Sequence, residues 1–154
     1  MALPDLAATR RLGAAMARRL AIGDVVALHG DLGAGKTELA RAVIRAAAGD
    51  ESLTVPSPTF TLAETYDTTS GSIWHFDLYR LESPDQVWEL GLEEALAGGI
   101  SLIEWPERIG ALLPTRRLDV TLAIDRREAR AAVLSAGPSW AERLAGLRHE
   151  VAHG

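Results

Sequence analysis

Gly30-Asp31-Leu32-Gly33-Ala34-Gly35-Lys36-Thr37 decides the reading of this chain. The stretch matches G-x-x-x-x-G-K-[ST] at every fixed position, the pattern of a phosphate-binding loop. Glycines let successive backbone N–H groups turn inward and approach phosphate oxygens closely. Lys36 is placed to reach β- and γ-phosphates, and the Thr37 hydroxyl to ligate Mg²⁺. A helix that starts here adds the positive end of its dipole. The bland alternative is a Gly-rich turn before an unrelated helix.

The flanks support the motif. Before it, Val25-Val26-Ala27-Leu28-His29 reads as a buried parallel strand. After it, Glu38–Ala48 consists mostly of helix formers. Leu39, Ala42, Val43, Ala46 and Ala47 share one face, and Glu38, Arg41 and Arg45 the other. Gly49 is a natural C-terminal stop. Strand, glycine loop and helix is the order that the chemistry requires.

Further out, residues 6–20 read as an amphipathic helix with Leu12, Met16 and Leu20 inward and Asp5 or Thr9 as cap. Residues 50–58 form a Pro-containing loop. Thr59–Tyr66 and Ser72–Phe76 have strand composition around the turn-rich Asp67–Gly71, which predicts an antiparallel hairpin with a five-residue loop. Pro84 opens a helix, with Ser83 as its cap, that runs through Val87, Trp88 and Leu90, and Leu92–Ala97 is a second short one. Ile100–Ile103 is a buried strand ending at Glu104, Leu118–Ile124 and Ala129–Ala136 are a strand pair, and Ser139–His149 is a C-terminal helix. The sum is an α/β fold of the phosphate-loop nucleoside triphosphatase type: a mixed sheet with helices on both faces. One domain over residues 1–154 is expected, with 137–154 as its C-terminal helix or tail.

Composition narrows the function classes. A chain of 154 residues, 47% hydrophobic, is ordinary for one globular domain. Its apolar runs are too short for a membrane span, and Met1–Asp5 lacks a basic-then-apolar signal pattern. A soluble, cytoplasmic protein with no membrane partner is expected. With no cysteine there is no disulfide, thiol nucleophile or thiolate metal site. The formal net charge of −5 argues against a whole-surface nucleic-acid binder. Arg116, Arg117, Arg126, Arg127 and Arg130 nevertheless make the C-terminal third locally basic, a pattern that usually marks a solvated face.

A phosphate loop needs a carboxylate at the end of a neighbouring strand to hold Mg²⁺, directly or through water. Ile73-Trp74-His75-Phe76-Asp77 and Ile100-Ser101-Leu102-Ile103-Glu104 each end an apolar strand in an acid. Spacing alone does not rank them, and a solvated strand-end acid is the ordinary reading of either. The more apolar strand favours Glu104. Pro56-Ser57-Pro58-Thr59 occupies the place where a Ser or Thr senses a γ-phosphate, or else is a rigid turn. His75 reads as a structural strand residue, Arg80 as an exposed arginine with phosphate in reach, and Trp105 as a stacking or packing side chain. Lys36 is expected to be solvated without ligand, so that its loss costs little stability.

Four segments taken together resemble a known family. They are Gly30–Thr37, Pro56-Ser57-Pro58-Thr59-Phe60, His75-Phe76-Asp77-Leu78-Tyr79-Arg80 and Leu102-Ile103-Glu104-Trp105-Pro106, in this order and spacing. The chain is similar over residues 4–136 to the bacterial TsaE family, the small ATPase of tRNA threonylcarbamoyladenosine biosynthesis. The resemblance implies a phosphate-loop fold with an open mixed sheet and the cofactors ATP and Mg²⁺. It implies a nucleotide held by Asp31, Leu32, Gly33, Ala34, Gly35, Lys36 and Thr37, with Lys36 also catalytic. Thr37 and Glu104 match Mg²⁺-associated positions. Asp77 and the Ser57/Thr59 loop match positions near the γ-phosphate that support hydrolysis. Leu6 and Thr9 fall where the family's N-terminal segment approaches adenine, and Arg127 resembles a later nucleotide-proximal segment. The implied partners are TsaD and TsaB, with tRNA reached through them.

A small-molecule kinase would use the same loop, but needs an acceptor pocket and usually an arginine-bearing lid. No lid insertion is evident between the hairpin and Glu104. A nucleotide-gated binding module with negligible hydrolysis is the third reading.

Overall fold

The computed structural model describes residues 1–125, 127 and 129–153; Arg126, of the basic group above, lies outside the described residues. Its elements run β1 (Ala2–Leu3), α1 (Leu6–Ala17), β2 (Val25–His29), α2 (Lys36–Ala48), β3 (Ala63–Thr68), β4 (Gly71–Asp77), α3 (Gln86–Glu89), α4 (Leu92–Gly98), β5 (Gly99–Glu104), β6 (Leu118–Ile124), β7 (Arg130–Ala136) and α5 (Ala141–His153), with 3₁₀ segments at Pro106–Leu112 and Pro138–Trp140.

The seven strands form one mixed sheet ordered β1-β7-β6-β2-β5-β4-β3. The centre is parallel: β2 pairs with β5 and β6, and β4 with β5. The margins β3/β4, β6/β7 and β1/β7 are antiparallel. β2 and β5 are apolar almost throughout because both faces are covered. Their alternate residues divide the core in two. Val26, Leu28, Ile100 and Leu102 pack with α1, α2 and α5, whereas Val25 and Ile103 pack with Phe76, α3, α4 and the first 3₁₀ segment. Helices thus lie on both faces, as the order of predicted elements implies.

α1 starts where Asp5 accepts a hydrogen bond from the Ala8 N–H at 2.8 Å, which makes Asp5 the cap. The α1–α2 crossing is tight. A Cβ on Gly13 would fall 2.5 Å from the Ala42 Cβ, so only glycine permits the approach. α2 buries Lys36, Leu39, Ala40, Val43, Ile44 and Ala47, a stripe rotated slightly from the sequence reading. It ends on Gly49 in the left-handed region.

The hairpin differs from its prediction at both ends. Thr59–Leu62 is a turn rather than strand, closed by the Leu62 N–H donating to the Pro58 carbonyl at 2.8 Å. Leu62 takes a φ of 67°, which interrupts an otherwise strand-like composition. The loop between β3 and β4 is two residues, Thr69 and Ser70, because Thr68 pairs directly with Gly71. No described helix is long and apolar enough to cross a membrane.

Candidate functional site

β2 ends at His29, and Gly30–Gly35 curls back to start α2 at Lys36. Gly30 has a φ of 143°, and a Cβ there would meet the Leu122 carbonyl oxygen at 2.5 Å. Gly35, at a φ of 107°, stands at the N-cap with no side-chain cap bond. The first-turn N–H groups of α2 therefore point out of the helix with no intrahelical acceptor. They face a concavity of about 500 Å³ lined by the loop, Ser57, Thr59, Asp77, Tyr79, Arg80, Glu104, Trp105 and Arg130. That is ordinary size for a small-molecule site.

Lys36 is not solvated, contrary to the expectation from sequence. It is 5% exposed. Its ammonium donates to the carbonyls of Gly30 and Asp31, and lies 3.7 Å from the centre of the Trp105 ring. Burial pulls its pKa below the ordinary lysine value, against the opposing pull of nearby carboxylates led by Glu104. Trp105 can reach over the lysine because its backbone is left-handed, at a φ of 59°. Tyr79 packs on the same indole with ring centres 4.9 Å apart.

The two candidate acids are brought together. In the parallel pairing of β4 and β5, Asp77 lies directly opposite Glu104. Glu104 is 2% exposed and accepts on Oε1 from the Thr37 hydroxyl at 2.8 Å. Its Oε2 lies 2.6 Å from His75 Nε2. Asp77 accepts on Oδ1 from the Tyr79 N–H at 3.1 Å. Burial raises the Asp77 pKa above the ordinary carboxylate value, partly opposed by that hydrogen bond. Ser57 and Thr59 place their hydroxyls 3.0 Å apart on the cavity wall. Arg80 lies over the exposed Phe60 ring, 4.9 Å from its centre.

Not every predicted residue joins this cluster. Leu32, Gly33, Gly35, Lys36 and Thr37 line the cavity. Asp31 and Ala34, with Leu32 again, line a separate concavity against Thr121–Ile124. Leu6 sits in a small groove between α1 and α2, and Thr9 is buried in the α1 core face. Arg127 is exposed in the β6–β7 turn, its N–H bonded to Asp125. None of these last three lines the main cavity. Arg130, from the basic patch and the same nucleotide-proximal segment as Arg127, does line it, beside Gly35. The tie between His75 and Glu104 is also absent from the sequence reading. Its only sequence signal is the i, i+2 spacing that puts His75 and Asp77 on one face of a strand.

The arrangement offers backbone donors and a lysine suited to a polyanion, beside a hydroxyl–carboxylate pair suited to a hard cation. A family model described as threonylcarbamoyl adenosine biosynthesis protein TsaE matches residues 3–132. The chain belongs to the TsaE family. It is 47% identical over 116 residues to the tRNA threonylcarbamoyladenosine biosynthesis protein TsaE of Rickettsia bellii, covering 75% of this chain and 80% of that one. The protein of the same name from Synechocystis is 39% identical over 119 residues, 71% of each chain. The crystal structure of Bacillus subtilus YdiB superposes with a TM-score of 0.79 at 27% identity, covering 97% of this chain and 94% of that one. The fold of this TsaE-family chain is therefore shared with a solved structure along nearly its whole length.

Proposed function

We propose that this chain is an ATP-binding and ATP-hydrolysing subunit of the machinery that installs N6-threonylcarbamoyladenosine at position 37 of tRNA, acting with TsaD and TsaB. The carrying observation is the convergence of Lys36, Thr37, Asp77 and Glu104 on one cavity at the ends of three parallel strands. The names of its relatives support the pathway.

The loop N–H groups and Lys36 hold the phosphates, Lys36 exchanging the Gly30 and Asp31 carbonyls for phosphate oxygens. Thr37 and Glu104 fit Mg²⁺, since they set two hard oxygens 2.8 Å apart beside the cavity. A cation held by Thr37 and Glu104 would neutralise charge on the β- and γ-phosphates. Asp77 keeps one oxygen on the Tyr79 N–H and has the other to orient a water and take its proton. Its raised pKa suits that exchange. Ser57 and Thr59 line the same cavity, where their hydroxyls would meet the γ-phosphate.

The rim residues Leu32, Arg80 and Arg130 are all exposed, so this chain does not exclude water from the cavity by itself. Closure then falls to a partner. A net charge of −5 likewise supports tRNA contact that is local or made through the partners. The test is release of labelled phosphate from ATP, by the chain alone and with purified TsaD–TsaB. Slow release alone and at least about a tenfold rise with the pair is expected, equivalent to about 1.4 kcal/mol. Fast release that the pair leaves unchanged, or transfer of phosphate to a metabolite, overturns the proposal.

A further inference from the structure

His75 has a part that a strand histidine in a core does not need. It is fully buried on β4, with Nε2 2.6 Å from Glu104 Oε2. Among the described residues its Nδ1 has no hydrogen-bond partner. An ionised carboxylate only accepts, so Nε2 carries the hydrogen. Nε2 is therefore the donor across the contact to Glu104. With Thr37 on Oε1 and His75 on Oε2, both carboxylate oxygens are held and Glu104 has a single orientation.

We propose that His75 is a positioning residue: it locks the Glu104 carboxylate so that Oε1 stays turned toward Thr37 and the cavity. The inference rests on the proposed function only in naming Mg²⁺ as what that oxygen then receives. A partner that orients a ligating side chain is worth roughly 10–100-fold in metal affinity or activity. Fold stability alone would not produce that selectivity.

The test uses the full chain with His75→Leu and His75→Gln. A glutamine amide reaches Oε2 with the same kind of N–H donor; leucine has none. For His75→Leu, the Mg²⁺ concentration that half-saturates ATP hydrolysis rises at least about tenfold, while ATP binding in EDTA stays at the wild-type value. For His75→Gln it returns to within about threefold of wild type, on the same principle. A folded His75→Leu chain with the wild-type Mg²⁺ dependence overturns the proposal, as does a His75→Gln chain no better than His75→Leu. Long-range ¹H–¹⁵N NMR of the imidazole in the wild-type chain gives a second measurement that needs no variant to fold. A hydrogen on Nε2 is expected, and a ring that carries its hydrogen on Nδ1 alone overturns the proposal. A wild-type chain that hydrolyses no ATP, alone or with TsaD–TsaB, would instead break the proposed function, and the tautomer would still decide the His75 contact.

Discussion

Charge is handled in opposite ways at two places in this molecule. At the ends of β2, β4 and β5, Lys36, Asp77, Glu104 and His75 are all under 10% exposed. There Lys36 is matched to carbonyls and an aromatic ring, and among the described residues it has no ion pair. At the α1–α5 contact, Arg18 and Arg19 close on Glu150, with Arg18 59% exposed. Nearby, Arg143 pairs with Asp24 at 2.6 Å and stacks on Trp140. Every charge in this second cluster lies against an opposite one, with Arg18 and Arg19 sharing Glu150, and these two arginines hold the Glu150 carboxyl down at about 2. Desolvated charge without a full partner opposes folding, whereas exposed pairs contribute little in either direction. In the first cluster Lys36 is buried without an ion-pair partner among the described residues, and in the second the ion pairs fasten a helix.

The contrast can be broken most decisively at Lys36. Lys36→Ala is expected to lower ATP turnover by about 10²–10³-fold, as removal of a preorganised charge donor does. Its Tm should stay within about 4 °C of wild type, because relief of a buried charge offsets the missing carbonyl and ring interactions. Calorimetry and turnover on one preparation check both halves, and an active variant would undo the assignment. Asp77→Asn sharpens the same contrast through pH. Burial raises the Asp77 pKa, so the folded chain holds that proton more tightly than the unfolded one. The stability Asp77 allows is complete below the unfolded carboxylate value and declines as pH rises through the folded one. Asn carries no charge to bury, so the variant should melt higher than wild type at pH 7, with the gap closing in acid. A Tm gap independent of pH would remove the electrostatic reading.

The smallest effect belongs to the surface cluster. Glu150→Gln should cost less than about 1 kcal/mol at pH 7 by denaturant titration, and less still in high salt. Here the folded pKa is depressed. The stabilisation is present above the ordinary glutamate value of 4.5 and is lost as pH falls toward 2. A larger loss of stability than Lys36→Ala produces would reverse the contrast between the clusters.

The phosphate-loop unit is legible in the sequence because its signals are local: eight residues, an apolar strand before them and a helix after. Asp77 and Glu104 are legible as strand ends, but choosing between them assumes that they compete. They are neighbours through a parallel pairing that joins residues 27 positions apart, which no local spacing reveals. Lys36 reads as solvated because its cover, Trp105, comes from a distant strand end turned by a left-handed residue. The false start of β3 at Thr59 has a similar cause: threonine and phenylalanine suit a strand, and the Leu62 turn overrides them. Leu6 and Thr9 rest on resemblance alone, and packing of α1 on α2 holds them away from the main cavity.

The two-residue turn at Thr69-Ser70 sets how β4 meets β3, and β4 alone carries both His75 and Asp77. Side chains alternate along a strand, so sliding β4 by one position would swing both residues into the apolar layer and bring Trp74 and Phe76 to the loop side. A mispaired chain would then keep its hairpin and lose its chemistry completely. Alignment and chemistry are thus one requirement: only the observed register sets the histidine and the aspartate beside Glu104.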